Sequence, residues 1–144
     1  MRKLFAKLPE GYWKKGGGEM LSFALIIPCI LTLVCAIIAA AQISYTNQAL
    51  NYCAYNACRA AVVSEAETVA QNRAQTAYNN QMGTENAHEH GYEPCTLEVL
   101  GGANWEKGSF VKCTVRYYIE TLMPFTSGIR EQSIVMMIEN GDSP

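Results

Sequence analysis

Met20–Ile43 reads MLSFALIIPCILTLVCAIIAAAQI, and no charged residue occurs from Met20 to Tyr45. As an α-helix, an uncharged run of about 20 residues crosses the ~30 Å hydrocarbon core of a bilayer. Pro28 lies inside the run. In a soluble helix it would break the hydrogen-bond ladder, but a membrane helix tolerates it as a bend. A cleaved secretory signal is the competing reading, with Ala39, Ala40 and Ala41 as the small residues a signal peptidase requires. Signal cores of about 7–15 residues are shorter than this one, which favours a transmembrane span over 20–43. Residues 1–19 carry Arg2, Lys3, Lys7, Lys14 and Lys15 against Glu10 and Glu19. The positive-inside rule places this basic leader in the cytoplasm and everything beyond residue 43 on the far side of a single-pass cell-membrane protein.

The formal net charge of -2 is a sum of unlike parts. Beyond Ser44 acidic residues outnumber basic ones, so the part able to fold has no electrostatic footprint for nucleic acid. Residues 44–82 contain no Gly or Pro and are dense in Ala, Gln, Glu and Arg. They read as a continuation of the membrane helix to about Gln81, with Val62, Ala66, Val69, Arg73 and Ala77 as a narrow stripe for packing. Tyr45, Tyr52 and Tyr55 fit either an interfacial aromatic anchor or packing in a helix bundle. Residues 83–94, rich in Gly and Asn, read as a loop. Over 95–144, the segments 95–100, 109–119 and about 131–138 alternate apolar with polar and read as three strands. Leu97, Val99, Val111, Cys113, Val115, Tyr117 and Ile119 should share the inward face. The expected fold is α+β: a long N-terminal helix, embedded in the membrane over its first half, packed on a small three-stranded antiparallel sheet.

Three stretches carry a family likeness: Phe23-Ala-Leu-Ile-Ile-Pro28, Gln48-Ala-Leu50 and Ala57-Cys-Arg-Ala-Ala61. The segment resembles the N-terminal region of TadE-like minor pilins and pseudopilins of tight-adherence, type IV-like pilus systems. Leu122-Met-Pro-Phe125 and Ile134-Val-Met-Met-Ile-Glu139 are similar to the sheet end of that family in style alone. The resemblance implies a pilin-like fold, no catalysis and no cofactor. Its implied partners are the membrane, other pilin-like subunits, the pilus assembly machinery and a prepilin peptidase. In the family the peptidase cuts after a Gly just before the apolar block, and a Glu normally follows a few residues into the mature chain. Aligned on Phe23, the cut falls between Gly17 and Gly18, and Ser22 stands where that Glu would be. This departure puts the family's subunit-pairing carboxylate in doubt, with Glu19 the nearest substitute. A flexible juxtamembrane linker is an equal reading of Gly16–Gly18. Candidate residues for helix association are Glu19, Ser22, Phe23 and Pro28, with Ala36 and Ala40 as small residues permitting close approach.

Four of the six cysteines, Cys53, Cys58, Cys95 and Cys113, follow the span. On the outward side disulfides persist, and four cysteines allow three connectivities. Cys95 with Cys113 is the favoured pair, since both belong to one sheet face; the bridge would close a loop of about 19 residues for roughly 3 kcal/mol. Cys53 and Cys58, five apart on a helix, diverge by about 140° and should not bridge to each other. Cys29 and Cys35 read as packing residues. His88-Glu-His90 lies in the expected loop and lacks the three or four held ligands that a metal centre needs, so no metal site is expected. The function expected is therefore a structural or assembly component of a pilus or related secretion system. The alternative is a membrane-anchored extracytoplasmic binding domain that does not assemble. An anchored thiol enzyme would require Cys53 or Cys58 to be free with a depressed pKa.

Overall fold

The structure is a computed structural model that describes residues 17–102 and 104–141. The leader up to residue 16 lies outside the described residues, as do the side chains of Glu19 and Leu21. The chain divides into two compact units, one ending at Ile38 and one beginning at Ala39.

In the first unit the described residues are helical and belong to α1 (Gly17–Val62), which continues through Pro28. Its large apolar side chains, Phe23, Leu25, Ile26, Ile30, Leu31 and Ile37, are exposed. Apolar surface left in water costs about 25 cal/mol per Å², so this helix suits a hydrocarbon environment. It is long and apolar enough to span a membrane.

The second unit contains the remainder of α1, then α2 (Glu67–Met82), α3 (Glu85–His90), β1 (Cys95–Val99), β2 (Phe110–Ile119) and β3 (Gly128–Met137). The strands form one antiparallel sheet in the order β1-β2-β3. The expected α+β arrangement of a long apolar N-terminal helix packed on a three-stranded antiparallel sheet is what the chain adopts. Leu50, Cys53, Ala54, Ala57, Cys58, Ala61 and Val62 of α1 are fully buried against a core that includes Val111, Cys113 and Val115 of β2. Most of these helix residues are small, which allows the helix backbone to lie close to the sheet. The inward face expected from the alternation holds: Val111, Cys113, Val115 and Ile119 are buried, and Leu97, Val99 and Tyr117 are half-buried. On the opposite face Arg116 sits across from Glu131, and its Nε donates to the carboxylate at 2.8 Å.

Three local expectations are corrected. The helix does not run unbroken to Gln81, because α1 ends at Val62 and α2 starts at Glu67. At the break, the backbone N–H groups of Glu139 and Asn140 donate to the Val62 carbonyl, and Trp105 Nε1 donates to the Ser64 carbonyl at 2.9 Å. These long-range donors satisfy carbonyls that a continuing helix would use, a tertiary override of local propensity. The break resets the helical phase, so α2 buries Ala70, Ala74 and Tyr78, whereas Val69 and Arg73 of the expected stripe are exposed.

The loop expected over 83–94 contains α3, which ends on Gly91 at φ +65, a left-handed conformation glycine adopts without strain. A reason for α3 lies at the sheet edge. Beyond Val115, β2 has run past the start of β1, and Pro94 supplies one carbonyl to the Arg116 N–H. Asn86 of α3 covers the next position: its Nδ2 donates to the Tyr118 carbonyl at 3.0 Å, and its Oδ1 accepts from the Tyr118 N–H at 3.1 Å. One side-chain amide thus replaces a missing strand neighbour.

Candidate functional site

Two features of the fold carry chemistry: the apolar half of α1 and a buried sulfur cluster. Of the residues expected to mediate helix association, Ser22, Phe23, Pro28, Ala36 and Ala40 are exposed, and the side chain of Glu19 lies outside the described residues. Thr32 Oγ1 donates to the Cys29 carbonyl at 2.9 Å, which pairs its hydroxyl within the helix. Gly17 and Gly18, the expected processing site, are the first residues of α1. Ala39 differs from its neighbours in being only 3% exposed.

Cys53, Cys58, Cys95 and Cys113 converge in the core of the second unit, each at most 2% exposed. Cys95 and Cys113 are thiols with their sulfur atoms 3.7 Å apart, against about 2.05 Å for a disulfide. The register explains their placement. Cys95 faces Val115 and Leu97 faces Cys113, so the two cysteines are diagonal neighbours on the inward face. Cys58 adds a third sulfur, positioned 3.9 Å from the carbonyl of Ile134, the residue paired with Cys113 across β2 and β3.

Cys113 therefore lies between two sulfur partners, and its hydrogen bonds to Cys58 and then to Cys95, followed by burial, push its pKa up. Its partner on β1, Cys95, is shifted down by the bond between them. Cys53 is pushed up to about 12, by burial first and by Cys95 second. A sulfur nucleophile must be both ionised and reachable by its substrate; the burial of all four works against the second requirement.

Around the cluster, Gln71 Nε2 donates to the Cys95 carbonyl at 2.8 Å, and the Tyr78 hydroxyl donates to the Arg116 carbonyl at 2.8 Å. These two bonds fasten α2 to β1 and β2. Burial, then neighbouring Tyr92, pushes the Tyr78 phenol up, so it stays a neutral donor. His88, Glu89 and His90 are exposed on α3, where His90 stacks on Tyr118 with ring centroids 3.8 Å apart. Among the described residues no group of three or more His, Cys, Asp or Glu is arranged to hold a metal ion. A shallow cleft beside α3 is lined by Asn79, Met82, Glu85, Asn86, Glu89 and Tyr117.

The residues that sequence reasoning passed over are Ser64, Tyr78, Asn86 and Trp105. Of these, Trp105 alone left a signal: a large aromatic inside an otherwise Gly- and charge-rich connection has to be buried somewhere. No family model matches this chain, and no curated protein or solved structure compared with it matches either.

Proposed function

We propose that the chain is a pilin-like, membrane-anchored structural or assembly component of a tight-adherence type pilus or a related secretion system. In this reading the leader is cytoplasmic and the α+β head lies outside the cytoplasm. The observation that carries it is the division of labour along α1. Its first half exposes a continuous apolar surface, and its second half is buried along a small-residue face against an antiparallel sheet. One helix thus serves as both anchor and core of the head, the arrangement that the likeness to TadE-like minor pilins around Phe23–Pro28 and Ala57–Ala61 implies.

Function in this reading is association without turnover. Helices in lipid associate through close packing of small residues, and exposed Ala36 and Ala40 provide such a surface. The partners are other pilin-like subunits, the assembly machinery and a prepilin peptidase.

A photocrosslinking phenylalanine analogue placed at Ala36 or Ala40 of the full chain in its native membrane tests the association. Crosslinks to a second copy or to another single-span protein are the expected result. Crosslinks to lipid alone would instead leave an anchored binding domain that does not assemble.

A further inference from the structure

The turn Thr121–Gly128, reading TLMPFTSG, joins β2 to β3 and contains no charge. It exposes Leu122 at 58% and Phe125 at 81%, with Ile129 exposed just beyond. These large apolar groups lie outside the core cluster, so packing of the core does not explain them.

The position of the turn is informative. The Leu122 N–H donates to Gln42 Oε1 at 3.4 Å, and Gln42 is the first amide, hydroxyl or charged side chain after Thr32 on α1. A shallow cleft lined by Gln42, Tyr45, Thr46, Tyr118, Ile119 and Glu120 places the end of β2 beside the same stretch of helix. About one helical turn earlier, Ala39 is covered while Ala36 and Ala40 are not. All of these residues from Ala39 onward belong to one compact unit. The turn is therefore level with the point where the apolar run of α1 gives way to polar residues.

The interior of the turn is also suited to a place poor in water. Its hydroxyl groups and several of its backbone groups pair within the turn. The Thr121 N–H donates to Ser127 Oγ at 3.0 Å, Thr121 Oγ1 to the Met123 carbonyl at 2.7 Å, and Thr126 Oγ1 to the same carbonyl at 2.8 Å. Arg130 at the base of the turn donates to the Thr126 carbonyl at 3.2 Å. Each of these bonds lowers the cost of taking that polar group out of water, and the apolar tip gains from leaving it.

We propose that the Leu122–Phe125 turn inserts into the headgroup and upper acyl region of the phospholipid bilayer, as a second membrane contact beside the exit of α1. Exposed Tyr45 on the helix joins it in an aromatic and aliphatic belt at the interface. The two attachments fix the rotation of the head about the helix axis, which a single span leaves open. The inference rests on the membrane reading of α1.

Depth-dependent quenching tests it. The full chain, carrying Trp13→Phe, is reconstituted into phosphatidylcholine and phosphatidylglycerol vesicles with brominated acyl chains. Single tryptophans are introduced as Phe125→Trp, as Ile30→Trp within the apolar run, or as Val135→Trp on β3. Buried Trp105 is a constant background. The expected result is loss of emission for Phe125→Trp and Ile30→Trp, with Val135→Trp unchanged. If Ile30→Trp is quenched but Phe125→Trp behaves like Val135→Trp, the helix is anchored and the turn is not in lipid, which overturns the proposal. If Ile30→Trp is not quenched either, the membrane reading fails and the proposal falls with it.

Discussion

Trp105→Ala destabilises the head by about 3–5 kcal/mol, the range for removing a buried Trp side chain from a packed core. Three effects combine there. The indole is 6% exposed and belongs to the core cluster, so its removal leaves a cavity. Its Nε1–H is the donor to the Ser64 carbonyl, which follows the end of α1 and would lose its partner. The connection that carries Trp105 also supports the chain end: Gly108 donates to the Ile138 carbonyl at 3.0 Å and Ile138 to the Ser109 carbonyl at 2.8 Å. A small domain has about 5–15 kcal/mol of stability in total, so the loss would leave the head close to unfolding. Chemical denaturation of the detergent-solubilised chain, followed by near-ultraviolet circular dichroism, measures it. Trp105→Phe separates the causes, since it keeps most of the packing and loses only the hydrogen bond, at about 1–3 kcal/mol for the carbonyl left unpaired. Wild-type stability for Trp105→Ala would mean that the α1–α2 break is not held in the way described.

The second large effect concerns the anchor. Leu31→Asp combined with Val34→Asp places two carboxylates on exposed positions in the middle of the apolar run. Each costs about 2.5–3.5 kcal/mol at the centre of a spanning helix, so together they remove several kcal/mol of insertion free energy. The double variant should shift from the carbonate-resistant membrane fraction to the soluble or degraded fraction. Leu31→Phe combined with Val34→Leu, which preserves apolarity, should stay with the membrane. Retention of the double Asp variant in the membrane would show that these side chains do not face lipid.

Much of the fold was legible because it rests on periodicity. The uncharged run at 20–43 and the two-residue alternation over 95–100 and 109–119 each define an apolar face. The chain buries or exposes those faces as expected, with strand ends shifted by a few residues. Where reading failed, local composition was overruled from far away. Nothing within Val62–Ala66 announces a helix end, because the groups that terminate it are Trp105, Glu139 and Asn140, distant in sequence. The short helix α3 was likewise hidden in a stretch rich in Gly and Asn. Its role is to present Asn86 to the uncovered edge of β2, a requirement visible only once the offset between β1 and β2 is known.

The sulfur cluster was half legible. The alternation placed Cys95 and Cys113 on one face, whereas the approach of Cys58 depends on how α1 lies across the sheet. Two buried cysteines on a helix, divergent by about 140°, were expected not to meet each other. Both are nevertheless buried, because α1 is covered over a wide arc, from Cys53 and Leu50 round to Cys58 and Val62, and both lie close enough to Cys95 to influence it.

The central claim, a pilin-type anchored subunit, is tested most directly by the N-terminus of the mature protein. Intact mass and N-terminal sequencing would be run on chain recovered from membranes, with and without a co-expressed prepilin peptidase. A pilin-type subunit shows a new N-terminus at Gly18 that depends on the peptidase, despite Ser22 in place of the usual carboxylate. Cleavage after Ala41 would remove the anchor and contradict the account.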